Sequence, residues 1–252
     1  MTFSDIPSVP VGPFAVADLT RHDLVRTIVA RGSGADQPVV AYALHVGGLN
    51  ARRDPEFVGS MERADVIYAD GGSVVLAARA AGARSIERAP TTDIGWDLLH
   101  ELRATRGRRP TVALIGGPEG LAERAAAALE AGADVSVVLT AHGYVEDWEP
   151  IVEKVRKVSP DMLVVGLGAP REMLWVDRWR AQLPPSIVLT CGGWFGYLAG
   201  EEQRAPRLLR RAGLEWIARL AQAPTRLGPR YVRGLWSTLV VTVDARRKRR
   251  SR

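Results

Sequence analysis

The sequence predicts an α/β fold built on a mostly parallel, doubly wound sheet. Three observations lead to this prediction. Short runs rich in β-branched residues alternate with longer helix-like segments along most of the 252 residues. The runs are apolar throughout rather than alternating, as expected for parallel strands that helices cover on both faces. Glycines or an acid follow several of the runs, and open parallel sheets bind ligands at such strand ends.

Six apolar runs are predicted to be strands, because each is short and rich in valine, leucine or isoleucine. In chain order they cover residues 39–46, 66–69, 111–115, 135–140, 162–167 and 186–191. Helix-like segments lie near residues 18–31, 54–63, 73–82, 94–106, 119–131, 147–158 and 171–182. This alternation is typical of a Rossmann-like sheet, and we expect the sheet and its covering helices to be complete by Gly200.

The amino-acid composition excludes several classes of protein. A chain of this length with 46% hydrophobic residues can bury a full core. The single cysteine, Cys191, excludes a disulfide framework and a cysteine metal site, which suits a reducing cytoplasm. Residues 1–19 lack the pattern of a secretory leader, and no long uninterrupted apolar stretch follows. We therefore expect a protein that is neither exported nor membrane-spanning.

Charge is distributed unevenly along the chain. The formal net charge is +6, but residues 204–252 carry 14 basic and two acidic side chains, whereas residues 1–203 are net acidic. We expect an α/β domain over residues 1–203 and a basic, amphipathic, helical appendage over 204–252, whose last residues, DARRKRRSR, fray. Such a region points to a polyanionic partner, either a nucleic acid or an anionic membrane face. A solvated tail is the alternative explanation.

The residues that follow the predicted strands are unusual. Asp70 follows VIYA, where it is either a helix cap or a catalytic carboxylate beside a cleft. Glycines at four strand ends would let a backbone approach a ligand, and helix N-termini there favour a phosphate. These glycines are Gly71, Gly116, Gly117, Gly166, Gly168, Gly192 and Gly193. A nucleotide is the predicted ligand, although tight turns alone would also explain the glycines.

Two other ligand classes are disfavoured. The segment GGPEG differs from the GxGxxG fingerprint, and the next strand ends at Ala141 and His142 without the acid that would hold a ribose, which argues against an NAD enzyme. His45 and His142 are isolated histidines without metal-ligand spacing, so turn or pocket-wall roles are favoured. No metal site is predicted.

The second half of the chain carries a specific combination of motifs. They are GLGAPREM, GGWFGYLAG, RAP, GLEWIARL, APTR and RY, preceded by ADG, GGPEG and HGY. In this order they resemble the WecG/TagA/CpsF family of bacterial glycosyltransferases over roughly residues 39–235. The combination is highly specific, even though each motif alone is weak.

The resemblance implies a reaction and a set of site residues. The reaction is metal-independent, inverting transfer of an N-acetylmannosamine-type sugar from a UDP donor to a polyprenyl-diphosphate-linked N-acetylglucosamine, at the cytoplasmic membrane face, in teichoic acid or other surface polysaccharide synthesis. No cofactor is implied. Asp70 matches the general base of the family, which takes the proton from the acceptor hydroxyl. The expected donor-binding residues are Gly71, Gly116, Gly117, His142, Tyr144, Gly166, Gly168, Pro170, Arg171, Glu172, Gly192 and Gly193. The expected acceptor-binding or diphosphate-binding residues are His45, Asn50, Arg88, Arg204, Arg226, Arg230 and Arg233.

The chain departs from the family pattern at several positions. Glu172 and Met173 stand where the family has glutamine and glutamate, Gly196 stands where it has aspartate, and Ala223 replaces the glutamate of its EP step. The Thr-x-Asn that follows the first strand in the family has no clear match, and His45 or Asn50 is the candidate replacement. We expect an unchanged fold and base in a divergent subgroup, and leave open whether its sugar differs.

The basic appendage can be interpreted physically. Apolar residues from Leu208 to Leu220 follow helical spacing with arginines between them, and Trp216 and Trp236 suit an interface. A basic amphipathic helix lies on an anionic bilayer, where a lipid-linked acceptor would be met. The alternative is a helix packed on the core or on another subunit of a homo-oligomer. The arginines at 226, 230 and 233 are also candidates to close over a diphosphate.

Two non-enzymatic functions stay open on the sequence alone. A nucleic-acid-binding module would explain the basic region but would leave Asp70 and the glycines without a role, so no nucleic acid is expected. A nucleotide-sugar-binding protein would keep the pocket and lack turnover.

Overall fold

The computed structural model describes residues 6–203, 206, 217, 220 and 224–250. The strands are β1 (Ser8–Val11), β2 (Phe14–Ala17), β3 (Val39–Leu44), β4 (Val66–Ala69), β5 (Thr111–Gly116), β6 (Ser136–Ala141), β7 (Met162–Gly166) and β8 (Ile187–Thr190). The helices are α1 (Arg21–Gly32), α2 (Val46–Asn50), α3 (Pro55–Glu62), α4 (Gly72–Ala81), α5 (Thr91–Arg106), α6 (Leu121–Gly132), α7 (Glu149–Val158), α8 (Arg171–Trp179), α9 (Trp194–Leu198) and α10 (Pro224–Arg250). A 3-10 turn, Arg180–Gln182, follows α8.

Six strands form one parallel sheet in the order β4-β3-β8-β7-β5-β6. The order reverses direction between β7 and β5, since β5 leads through α6 to β6 on one side and β7 leads through α8 to β8 on the other. Neighbouring strands whose connections leave in opposite directions open a crevice at their carboxyl ends. This topology therefore predicts that a ligand binds beyond the ends of β5 and β7.

Both faces of the sheet are buried. Along β3, Ala41 and Ala43 join the apolar cluster on one face, while Val40, Tyr42 and Leu44 join the cluster on the other. Successive side chains of a strand point to opposite faces, so a strand covered on both sides is apolar at every position. This confirms the predicted α/β class and the six predicted strands.

The seven predicted helices are also present, with local reasons for their starts and stops. Asp54 caps α3 by accepting hydrogen bonds from the amides of Glu56 and Phe57, at 3.1 and 3.3 Å. At the other end of a helix, Gly82 closes α4 with a φ of 113°. The sequence did not predict the hairpin of β1 and β2, nor the short helices α2 and α9.

Helix α10 confirms the predicted C-terminal helical appendage and corrects two other expectations. The final basic stretch was expected to fray, but α10 continues to Arg250. The covering helices were expected to be complete by Gly200, but α10 packs against α4, α2 and β1. Its inner face is buried at Ser237, Thr238, Val241, Thr242 and Ala245. The division of the chain at residue 203 into two domains stays a prediction.

The outer face of α10 carries exposed apolar side chains. Its exposed residues recur at helical spacing and form what we call the apolar stripe: Val232, Leu235, Trp236, Leu239 and Val243. Trp236 is 66% exposed and Val232 69%. Among the residues that the structure describes, no helix is both long and apolar enough to cross a bilayer. The helix predicted between Leu208 and Leu220 lies mostly outside the described residues.

Candidate active site

Asp70 stands directly after β4, at the carboxyl edge of the sheet. Its backbone N–H donates to the carbonyl of Leu44 at 3.0 Å, which continues the pairing of β3 with β4 by one residue. Its Oδ1 accepts a hydrogen bond from the N–H of Thr91 at 3.1 Å. The N-cap of α4 is Gly71, so Asp70 does not hold the cap position itself. Asp70 is half-buried, and Thr91, the first residue of α5, orients its carboxylate.

A buried tyrosine lies two residues before the carboxylate. Tyr68 is fully buried, and its hydroxyl shares a hydrogen bond of 2.9 Å with Thr91 Oγ1. Burial, and then the charge of Asp70, raise the pKa of Tyr68 well above its ordinary value. The phenol therefore stays neutral and holds Thr91, whose N–H holds Asp70.

His45 follows β3 and is the neighbour of Asp70 across the sheet, because the residues before them, Leu44 and Ala69, are paired. His45 is the N-cap of α2, and its Nδ1 accepts hydrogen bonds from the amides of Gly47 and Gly48 at 3.0 and 3.3 Å. The structure thus brings this predicted acceptor residue to the Asp70 end of the edge.

Two further predicted acceptor residues lie at the same end of the sheet. Asn50, half-buried, ends α2. Arg88 lies on the segment that runs along the end of β4, where the N–H of Ala89 donates to the carbonyl of Ala69 at 2.8 Å. Both stay candidates for acceptor binding.

Glu172 is only 1% exposed, although it lies in the first turn of α8. Its Oε2 accepts hydrogen bonds from the N–H of Gly168 at 2.9 Å and of Gly192 at 3.2 Å. Burial raises the pKa of Glu172 to about 7, the two backbone hydrogen bonds oppose this rise, and the charge of Asp70 adds to it. The carboxyl group joins the loops after β7 and β8, so its contacts are to the protein backbone. Direct donor binding by Glu172 stays a prediction.

The loop after β6 is held by a hydrogen bond to the loop after β5 and by another within itself. Gly143 N–H donates to the carbonyl of Gly117 at 2.7 Å, and His142 Nδ1 accepts from the N–H of Tyr144 at 3.2 Å. The guanidinium of Arg171 lies 5.8 Å from the centre of the Tyr144 ring. Tyr144 is 69% exposed, so ring and guanidinium offer an open, cationic surface beside the crevice.

The predicted glycines fall into two groups. A Cβ on Gly116 would lie 2.2 Å from the carbonyl oxygen of Gly166, so the protein itself requires glycine where β5 and β7 meet. Gly168 has a φ of +75° and no atom within 4 Å of an added Cβ, so its loop leaves space on the crevice side. Gly192 likewise has open space, and Gly193 is exposed. Pro170 follows a cis peptide bond and is the N-cap of α8.

Some predicted residues lie outside the described part of the chain. Arg204 is one of these, and the side chains of Arg226 and Arg230 on α10 are two others. Arg233 is exposed on α10. Within the described ranges, no three His, Cys, Asp or Glu side chains are grouped as a metal site would need. Metal independence stays a prediction.

Sequence reasoning missed two residues of this edge. Thr91 orients Asp70 through its backbone, which no side-chain motif could indicate. Glu202 lies where a side chain on Gly196 would be, with its Cγ 3.3 Å and Oε1 3.6 Å from an added Cβ. A glutamate from the next turn therefore occupies the space beside Gly196, where the family pattern has an aspartate. The EE pair at 201–202 was the available signal.

These features together define a class of protein. It is an α/β enzyme with a ligand crevice along the carboxyl edge of a parallel sheet and a carboxylate at one end of that edge. The chain belongs to the Glycosyl transferase WecG/TagA/CpsF family, which it matches over residues 9–252. The resemblance deduced from the motifs is thereby confirmed, and the protein is a glycosyltransferase.

A curated relative adds a named reaction. The N-acetylglucosaminyldiphosphoundecaprenol N-acetyl-beta-D-mannosaminyltransferase of Bacillus spizizenii (strain ATCC 23059 / NRRL B-14472 / W23) is 26% identical over 179 residues. The match covers 71% of this chain and 69% of the relative.

Proposed function

We propose that the protein transfers an N-acetylmannosamine-type sugar, with inversion, from a UDP donor to a polyprenyl-diphosphate-linked N-acetylglucosamine. The family and the name of the Bacillus relative support the sugar and the lipid-linked acceptor. The observation that carries the proposal is Asp70, a half-buried carboxylate oriented by Thr91 at the end of β4.

The carboxyl edge of the sheet is long enough for a UDP-sugar donor that lies along it in an extended conformation. The end of β7 lies three strand spacings from the end of β4, which is about 14 Å at roughly 4.8 Å per spacing. A nucleotide over the crevice of β5 and β7 would therefore direct its sugar across β8 and β3 toward Asp70. The backbone N–H groups that begin α6 and α8, with Arg171 beside them, would meet the diphosphate.

The chemistry requires one proton acceptor. The acceptor hydroxyl oxygen attacks the anomeric carbon, the bond from that carbon to the β-phosphate oxygen breaks, and UDP leaves with the electron pair. Asp70 takes the hydroxyl proton in the same step. Attack from the side opposite the leaving group inverts the anomeric configuration. The N–H of Thr91 on Oδ1 fixes the carboxylate for this transfer.

The apolar stripe of α10 is the surface that we propose to contact the membrane. It carries Trp236 and Leu239, and exposed basic residues follow it at Arg246, Arg247, Lys248 and Arg249. An apolar face beside basic residues binds an anionic bilayer, and each Lys or Arg near the surface adds about 1 kcal/mol. Peripheral binding at the cytoplasmic face would bring the enzyme to its lipid-linked acceptor.

The substitution Asp70→Asn tests the proposed function. Transfer should fall about 100-fold to 10,000-fold, while the fold and the UDP affinity stay unchanged, because only the proton acceptor is lost. Products from a panel of UDP-sugars and synthetic polyprenyl-diphosphate acceptors are identified by mass spectrometry. Asp36→Asn, an exposed acid at the opposite end of β3, is the control. UDP binding with every donor left intact would instead indicate a binding protein without turnover.

A further inference from the structure

The C-terminal helix contacts the helix that starts beside Asp70. Gly234 of α10 packs on Val46 of α2 so closely that an added Cβ would lie 2.1 Å from Val46 Cγ2. Just beyond the end of α2, Arg52 Nη1 donates to Ser237 Oγ of α10 at 2.8 Å and to the carbonyl of Leu49 at 2.9 Å. A close apolar contact and a hydrogen bond therefore fix α2 against α10.

The first turn of α2 selects one tautomer of the His45 ring. Nδ1 of His45 accepts from the amides of Gly47 and Gly48, so this nitrogen carries no proton and the ring is neutral. The remaining proton is on Nε2, on the side of the ring away from these amides. The cap thus makes His45 a hydrogen-bond donor whose orientation depends on the first turn of α2.

His45 and Asp70 are neighbours at the carboxyl edge, as the pairing of Leu44 with Ala69 requires. The Cα of His45 also lies 4.0 Å from where a Cβ on Gly71 would be. A shift of α2 therefore moves the ring of a residue whose backbone is adjacent to that of Asp70. A misplacement of about 1 Å in a positioned group can cost on the order of 100-fold in rate.

We propose that α10 is a positioning element of the active site: its contact with α2 at Gly234 and Val46 fixes the Nε2–H donor of His45, and with it the acceptor sugar, beside Asp70. This inference rests on the proposed function for the identity of the acceptor. It gives the basic C-terminal helix a role in transfer that does not depend on membrane contact.

A matched pair of substitutions tests the inference. Gly234→Ala places a methyl group against Val46, whose branched side chain is stiff, so α2 or α10 must move. Gly228→Ala, in the same helix, meets no atom within 4 Å and is the control for helix propensity. With a water-soluble acceptor, Gly234→Ala should lower kcat about 10-fold to 100-fold and leave UDP affinity unchanged. The double variant Val46→Ala/Gly234→Ala removes the clashing methyl group and should restore most of the rate.

A spectroscopic measurement separates positioning from a general loss of structure. The side-chain ¹⁵N signals of His45, assigned by their absence in His45→Asn, report its tautomer and should change in Gly234→Ala but not in Gly228→Ala. Ser237→Ala adds no atoms, removes the partner of Arg52, and should change the same signals. Unchanged His45 signals in Gly234→Ala and Ser237→Ala would overturn the inference. Equal transfer rates of Gly234→Ala and Gly228→Ala would overturn it as well. If the wild-type protein shows no transfer, the proposed function fails, and the His45 signals still decide the positioning role.

Discussion

The buried carboxyl group of Glu172 should make stability depend on pH in a way that one substitution removes. Its pKa is about 7 in the folded protein, against 4.5 when unperturbed. Between these values the folded chain keeps a proton that the unfolded chain has released, so raising the pH through this range lowers the free energy of unfolding. At 1.36 kcal/mol per pKa unit, the loss from pH 4 to pH 8 is about 3 kcal/mol.

Urea denaturation of the wild type and of Glu172→Gln at several pH values measures this pH-dependent loss of stability. Glutamine does not titrate, and its carbonyl oxygen can still accept from Gly168 and Gly192. The stability difference, wild type minus variant, should therefore fall by about 3 kcal/mol between pH 4 and pH 8. Glu62→Gln, which changes the same charge at an exposed position, should give a nearly constant difference. A constant difference for Glu172→Gln would refute the reasoning, because the carboxyl group would then titrate alike in both states.

Three further predictions follow from the described contacts. Gly168→Ala should weaken UDP binding, as measured by calorimetry. Gly107→Ala is the control and should not weaken it, because Gly107 lies at the end of α5 but is equally free of contacts and has a similar φ of +63°. Equal UDP affinities of the two variants would place the donor elsewhere. Replacing Trp236 and Leu239 of the apolar stripe by serine should abolish flotation with anionic liposomes, and Leu76→Ser on α4, 53% exposed, should not. A chain ending before residue 204 should unfold at lower urea than the full chain, since α4 and α2 lose the cover of α10; an unchanged midpoint would mean that α10 does not stabilise the core.

The central sheet was predictable because its strands, apart from the partly exposed edge strand β6, are buried on both faces and are therefore apolar at successive positions. The hairpin was missed because its strands, Ser8–Val11 and Phe14–Ala17, have four residues each and stand among prolines. A helical C-terminal appendage was predicted, but the course of α10 over residues 224–250 was not, because Gly228, Pro229 and Gly234 are residues that usually interrupt helices. Tertiary packing on α4 and α2 outweighs these local preferences.

The site residues that could be predicted are those that directly follow a strand. Asp70 and the glycines follow strands, and parallel strands bring their carboxyl ends to one edge. The role of Glu172 was not predictable, because an acid in the first turn of a helix is usually exposed, and its burial depends on amides of two separate loops. The orientation of Asp70 by Thr91 also depends on a contact 21 residues away in the chain.

The packing around α4 has a consequence for the order in which the enzyme is completed during synthesis. Helix α4 contacts both β1, which is synthesised before it, and α10, which is synthesised more than a hundred residues after it. Contacts between distant segments form only after both have left the ribosome, so they are late events in folding. The strands β5 to β8 and their helices lie between these segments and need neither of them to pair with one another. A nascent chain should therefore assemble the β5 and β7 crevice first and complete the Asp70 end last.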